Sequence, residues 1–241
     1  MDVRFWGPSG WKLLHSISFL APKKLNSEEQ NLYHLFYESL RYVLPCKYCR
    51  DSLNKFMNKI PLHNYIHTRE KLSEWVYLIH NQVNNKLRKQ GFLKTENPSF
   101  IEVKKNYKNI LKNECNICDI SGWDFLYSIA FNYPIKKNIS YEKKMGYYIF
   151  FSLLMFVLPN KHHQNTFKKY NENNTILDAL KSRNALKKWL FNFHKYLKSE
   201  LKQDVSYTQL CYKYEKYRSG CETSISKKIK ASCRVKGLKD K

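Results

Sequence analysis

Two cysteines three positions apart, Cys46 and Cys49, form the clearest redox motif of the sequence, Pro45-Cys46-Lys47-Tyr48-Cys49. A thiol at the start of a helix has a lowered pKa, because free amides and the helix dipole stabilise the thiolate. In a CxxC motif the two sulfurs are also close enough to form a disulfide. The alternative is half of a zinc site, completed by Cys115 and Cys118. The 65 residues between Cys49 and Cys115 exceed zinc-ribbon spacing, so the motif favours dithiol redox chemistry.

A polar cluster lies downstream in His80-Asn81-Gln82-Val83-Asn84-Asn85-Lys86-Leu87. His80, Val83, Asn84 and Leu87 are spaced i, i+3, i+4 and i+7, so they share one helical face. Polar residues on a core-facing stripe need a buried partner. For His80 alone, a satisfied core histidine is the simpler interpretation. Together with the upstream Gly10-Trp11-Lys12-Leu13-Leu14-His15 segment, the pattern indicates a flavin beside the redox disulfide.

Helices are predicted to position both motifs, because the chain has only 7 Gly and 7 Pro and is 15% aromatic. Pro8 is suited to start the first helix, and a capping box at Ser27-Glu28-Glu29-Gln30 opens a second that runs toward Val43. Pro45 begins a third, with both cysteines in its first turn. Two more are predicted over 69–89 and about 100–111. The prediction is an all-α protein whose first part is a bundle of four or five helices.

The second half of the sequence resembles the first. Segments 10–19, 43–49 and 72–75 recur as 122–131, 157–163 and 186–189, at offsets of 112, 114 and 114 residues. The recurring segments keep apolar residues but lose the polar ones: Asn160 and His163 replace the cysteines, and Tyr127 replaces His15. We therefore expect a degenerate second helical copy that folds without binding the cofactor.

These features divide the chain into four parts. Residues 1–114 form the redox domain, 115–120 a linker with a second CxxC, 121–202 the degenerate domain and 203–241 a tail. The tail has a net charge of +6 and contains Cys211, Cys221 and Cys233. Its end is expected to be mobile.

The whole chain is strongly basic, with a formal net charge of +23. This charge could attract nucleic acid or another acidic partner, but lysines scattered over solvated faces explain it more simply. The most apolar run, 147–158, is too short to cross a bilayer and is expected to be a buried helix. With no signal peptide recognised at the start, the sequence predicts a cytoplasmic protein without a membrane span.

With these motifs in place, the first 110 residues or so resemble the Erv/ALR flavin-linked sulfhydryl oxidases. The resemblance implies a helical bundle that holds FAD against the CxxC, oxidises dithiol proteins and reduces O2 to hydrogen peroxide. An incoming thiolate would attack Cys46, and Cys49 would face the flavin. The implied cofactor contacts are Gly7, Trp11, His15, His80, Asn81, Val83, Asn84, Leu87, Lys89, Phe92 and Tyr107.

The match has departures and open points. Cellular members often have a stabilising cysteine where this chain has Tyr77, which makes it more similar to the members of large cytoplasmic DNA viruses and implies a place in the host cytoplasm, virus factory or virion. The family's mobile shuttle pair is best matched by Cys115 and Cys118, with Cys221 and Cys233 of the tail as the alternative relay or a structural pair. Because family domains dimerise, either a homodimer or an intrachain pseudo-dimer is expected. The competing functions are a zinc-binding interaction module and a basic nucleic-acid-associated structural protein.

Overall fold

The computed structural model describes residues 1–114, 122–135, 139–199 and 206–218, which contain eleven α-helices and no strand. This confirms the predicted all-α fold. The helices are α1 Val3–Phe19, α2 Ser27–Val43, α3 Lys47–Lys59, α4 Arg69–Lys89, α5 Phe100–Glu114, α6 Trp123–Phe131, α7 Tyr141–Val157, α8 Lys161–Asn173, α9 Ile176–Ala179, α10 Arg183–Ser199 and α11 Tyr207–Tyr217. Within the described ranges, none of them has the length and apolar character needed to span a membrane.

The N-termini of α1 and α2 differ from the sequence prediction. Helix α1 starts at Val3, not at Pro8, because the Asp2 carboxylate accepts the Arg4 N–H at 3.0 Å and caps an earlier turn. Pro8 lies inside the helix. The capping residue of α2 is Asn26 rather than Ser27, and it exchanges hydrogen bonds with Glu29 in a capping box.

The second bundle repeats the construction of the first. Helices α7 and α8 lie 114 residues after α2 and α3 at both ends. The Trp75 Nε1–H donates to the Ile60 carbonyl at 2.9 Å, and the Trp189 Nε1–H donates to the Asn174 carbonyl at 2.6 Å. The side chains of Arg69 and Arg183 likewise bond the carbonyls of Ala21 and Tyr133. These hydrogen bonds are equivalent in the two bundles and support the predicted duplication independently of the apolar pattern.

Helix α11 completes the second bundle in the position that α5 has in the first. The Tyr107 ring of α5 lies 4.9 Å from the His15 ring, and the Tyr214 ring of α11 lies 4.8 Å from the Tyr127 ring. Tyr127 occupies the position of His15 in the second copy. The segment after residue 203 therefore contributes a fifth helix to the second bundle.

The two bundles pack through equivalent helices, α1 against α6 and α2 against α7. Phe36 and Phe150, which are equivalent at the offset of 114, stack on each other at 5.3 Å and are fully buried. A Cβ added to Gly10 would lie 3.0 Å from the Phe125 ring, and one added to Gly122 would lie 2.8 Å from Leu13. Since Phe125 is the counterpart of Leu13, each copy offers the other the same surface, as in a two-fold interface.

Candidate redox and cofactor site

Cys46 and Cys49 lie at the N-terminus of α3, as the sequence predicts. Cys46 is the N-cap residue with an extended backbone, and the Cys49 N–H donates to its carbonyl at 3.1 Å. Arg50 Nη1 donates to the Leu44 carbonyl at 2.5 Å and fixes the turn that precedes the helix. Both thiols are free in this structure; Cys46 is 6% exposed and Cys49 is half-buried.

The two thiols differ in acidity because they share a hydrogen bond. The Cys49 thiol donates to the Cys46 sulfur and lowers the pKa of Cys46 to about 6, against the opposing effect of burial. The same hydrogen bond and burial raise the pKa of Cys49 well above its usual range. The reduced pair is therefore a thiolate at Cys46 beside a thiol at Cys49 at neutral pH.

Cys46 and Cys49 both line a mainly apolar crevice among α1, α2, α3 and α4, with about 1180 Å³ of free space including its open mouth. Four of the predicted site residues beside the cysteines, Gly7, Trp11, Val83 and Leu87, line it directly. Such a crevice has room for a flat ring system against the cysteine pair.

A cluster of aromatic rings and histidines adjoins the crevice at Trp11. The Trp11 ring stacks on the His80 ring at 3.9 Å, and His80 Nδ1 shares a hydrogen bond with His15 Nε2 at 3.1 Å. Burial lowers the pKa of His15 to about 3 and that of His80 to about 4, so both rings are neutral at pH 7. The Tyr107 ring also contacts the His15 ring. The structure thus brings together residues from three helices that the sequence proposed separately.

The other predicted contacts lie farther from the sulfurs. Asn84 Nδ2 donates to Asn97 Oδ1 at 3.1 Å, and Asn81 is half-buried outside the crevice. Lys89 and Phe92 are exposed at the end of α4, and neither lines the crevice. Cys115 and Cys118 lie outside the described residues, as do Cys221 and Cys233.

Sequence reasoning missed part of the crevice lining, including Met1, Ser52, Leu53, Lys86 and Gln90. Ser52 and Lys86 form a hydrogen bond across the α3–α4 contact, with Nζ 2.6 Å from Oγ. The sequence contains a signal for both residues. Ser52 lies three residues after Cys49 and Lys86 three residues after Val83, so each shares a helical face with a predicted site residue.

The second copy keeps the ring cluster and has larger side chains at two of the crevice positions. Trp123 stacks on His194 at 3.8 Å, and the Tyr127 hydroxyl bonds His194 Nδ1 at 2.9 Å. In place of Leu53 and Ile79, which line the first crevice, the second copy has Phe167 and Phe193. These two rings contact each other edge to face at 4.3 Å and are at most 1% exposed.

The chain matches one protein family in both of its halves. The model of the Erv1 / Alr family matches residues 8–108 and 120–218. A probable FAD-linked sulfhydryl oxidase of Acanthamoeba polyphaga mimivirus is 39% identical over 85 residues, which are 35% of this chain and 59% of that protein. The mitochondrial FAD-linked sulfhydryl oxidase of Saccharomyces cerevisiae is 31% identical over 91 residues, 38% of this chain and 47% of the yeast protein.

An FAD-linked sulfhydryl oxidase of African swine fever virus (isolate Tick/Malawi/Lil 20-1/1983) is 28% identical over 128 residues, 50% of this chain and 92% of the viral protein. No solved structure matches the chain at a significant level. The chain spans about half the length of the mimivirus and yeast relatives.

Proposed function

This chain belongs to the Erv1/Alr family, and on that premise we propose that it is an FAD-linked sulfhydryl oxidase. It would convert pairs of protein thiols into disulfides and pass the electrons to O2. The observation that carries the proposal is the opening of Cys46 and Cys49 into an apolar crevice beside the Trp11–His80 stack. This arrangement lies within the first family match, at residues 8–108.

The crevice and its rim fit a flavin chemically. Apolar side chains form the walls, and several buried polar atoms at the border have no hydrogen-bond partner within the part of the chain that the structure describes. These atoms are Trp6 Nε1, His15 Nδ1 and Gln90 Oε1. A buried polar atom without a partner is costly, so a ligand with an apolar ring and polar edges would satisfy both parts of the site.

Gly7, Trp11, Val83 and Leu87 would hold the cofactor along the crevice, with His15, His80 and Tyr107 beyond Trp11. Asn81, Asn84, Lys89 and Phe92 remain proposed contacts on the outer part of α4. When bound, FAD supplies a two-electron acceptor for the dithiol and a route to O2.

The residues of the chain itself prepare the thiol chemistry. The N-terminus of α3 and the hydrogen bond from Cys49 stabilise a thiolate at Cys46, which is the nucleophilic form of a cysteine. In the oxidised pair, an incoming substrate thiolate would attack Cys46 and displace Cys49 on the crevice side. Neutral His15 and His80 would offer hydrogen bonds without adding a buried charge.

We propose that the second bundle replaces the partner of a homodimer, which makes the chain an intrachain pseudo-dimer. The reciprocal contacts of Gly10 with Phe125 and of Gly122 with Leu13 support this proposal. Phe167 and Phe193 would narrow the corresponding crevice of the second bundle, and Asn160 and His163 replace its cysteines, so we expect no flavin there. Sedimentation of the purified protein should find a monomer, and this monomer should have full oxidase activity. Obligate dimers of the whole chain would contradict the proposal.

The shuttle role of Cys115 and Cys118 remains a proposal, with Cys221 and Cys233 as the alternative pair. Cys115→Ser should slow the oxidation of a protein dithiol more than that of dithiothreitol. Cys221→Ser tests the alternative pair in the same assay. If both variants slow the two substrates equally, neither pair acts as a relay.

Other partners follow from the charge. An acidic substrate or nucleoprotein drawn by the net charge of +23 would be released by salt, so turnover of the protein substrate should fall steeply with ionic strength. Equal turnover at low and high salt would contradict this partner. Because several similar proteins are viral, we propose that the reaction of this chain takes place in the host cytoplasm, virus factory or virion.

Purified protein tests the proposed function directly. It should be yellow, consume oxygen with dithiothreitol and release hydrogen peroxide. Cys46→Ser and Cys49→Ser should abolish turnover, while Cys211→Ser, a free and half-buried thiol of α11, is the matched control and should keep it. A colourless protein with stoichiometric zinc and no oxygen uptake would contradict the proposal and favour the interaction module.

A further inference from the structure

Lys86 is the only lysine or arginine among the described residues that line the crevice. Its ammonium group donates to Ser52 Oγ at 2.6 Å, and the Ser52 hydroxyl donates to the Tyr48 carbonyl at 2.8 Å. Because the Ser52 hydroxyl proton points to Tyr48, the lone pairs of its oxygen face Lys86. This hydrogen bond holds the Lys86 ammonium group in place. A cation on an apolar surface is costly unless an anion faces it, and no carboxylate side chain lines this crevice in the described part of the chain.

The anion that the chain itself can supply is a thiolate. Ser52 lies three residues after Cys49, one turn farther along α3, so it anchors Lys86 on the face that carries the Cys49 sulfur. The charge of Lys86 opposes the rise in the Cys49 pKa that the hydrogen bond to Cys46 and burial produce. The other ionisable groups acting on Cys49 are the Cys46 thiol and the α-amino group of Met1.

We propose that Lys86 is a positioning residue of this site: its ammonium group, anchored on Ser52, stabilises the Cys49 thiolate released during disulfide exchange. The proposal rests on the dithiol oxidation proposed above. A substrate thiolate attacks Cys46, a bond forms between those two sulfurs, and the Cys46–Cys49 bond breaks with the electron pair going to Cys49. A second substrate thiolate then displaces Cys46. The substrate pair is oxidised to a disulfide, and the Cys46–Cys49 disulfide is reduced.

The direct test is the pH profile with which iodoacetamide alkylates Cys49, read by mass spectrometry in full-length protein that carries Cys46→Ala. That background removes the coupling between the two thiols. Adding Lys86→Met should shift the alkylation midpoint upward by about one pH unit, which is a tenfold loss of thiolate below the midpoint. Lys86→Arg should keep the midpoint. Lys55→Met, which removes an exposed lysine of α3, is the control and should leave it unchanged.

A second measurement uses the intact cysteine pair. Anaerobic reduction of the Cys46–Cys49 disulfide by dithiothreitol should slow about threefold in Lys86→Met, because a leaving thiol with a higher pKa leaves more slowly. Unchanged midpoints and rates in Lys86→Met, or equal changes in Lys55→Met, would overturn the proposal. Loss of flavin with unchanged thiol chemistry would overturn it too, since Lys86 would then serve the cofactor. Neither readout needs oxygen turnover, so failure of the oxidase proposal would be seen separately.

Discussion

Replacing Cys49 should change the reactivity of Cys46, because the hydrogen bond from Cys49 is the largest cause of the low Cys46 pKa. With a pKa of about 6, about nine-tenths of Cys46 is thiolate at pH 7, against about 1% for a thiol at the ordinary value of 9.0. In Cys49→Ala the backbone amides remain but this donor is lost, so the pKa should rise by one to three units. Each unit above 7 lowers the thiolate fraction at pH 7 about tenfold.

The assay is the rate of Cys46 alkylation by iodoacetamide between pH 5 and 10, in reduced protein, with the labelled peptide identified by mass spectrometry. Cys49→Ser is the matched variant, because its hydroxyl keeps a donor at the same place and should hold the midpoint near the wild-type value. If wild type, Cys49→Ala and Cys49→Ser all titrated together, the hydrogen bond from residue 49 would not be the cause of a low Cys46 pKa.

Two further predictions concern the fold. Gly146→Ala should lower the free energy of unfolding by about 1–3 kcal/mol, because the new Cβ would lie 2.4 Å from Tyr42 Cβ where α7 crosses α2. Gly7→Ala is the control for chemical denaturation: its Cβ would meet only Val3, at 3.6 Å, so a loss as large as that of Gly146→Ala would contradict the argument. His15→Tyr, which copies Tyr127, should flatten the acid destabilisation of the cofactor-free protein. Because burial lowers the His15 and His80 pKa values to about 3 and about 4, the unfolded chain binds more protons below pH 6.5, and wild-type stability should fall from there toward pH 3. Urea unfolding at several pH values measures this, and equal slopes for the two proteins would contradict it.

The sequence predicted the bounds of a helix correctly where it contains signals for both ends of that helix. The periodic run from Arg69 to Lys89 has a capping threonine and basic residues at its end, and α4 has these bounds. The start of α1 was predicted wrongly because Pro8 is a strong signal for a first turn, whereas Asp2 caps the helix six residues earlier. A cap and a proline in one segment compete, and the sequence alone did not rank them.

Site residues that lie on one face of a single helix could be predicted from the sequence. Contacts between two helices could not. The CxxC turn and the His80 face follow from spacing within α3 and α4. Ser52 and Lys86 meet only because α3 packs beside α4, and the contact of Gly10 with Phe125 depends on the association of the two bundles. Such contacts depend on helix crossing geometry, which apolar periodicity does not specify.

The number of flavins per chain tests the central claim most directly. The first bundle has an open crevice beside two cysteines, whereas the second has Phe167 and Phe193 in the corresponding space. Visible flavin absorbance of the purified protein, set against protein concentration from amino-acid analysis after saturation with FAD, should give one flavin per chain. Two per chain would contradict a second copy that binds no cofactor, and none would contradict the cofactor site itself.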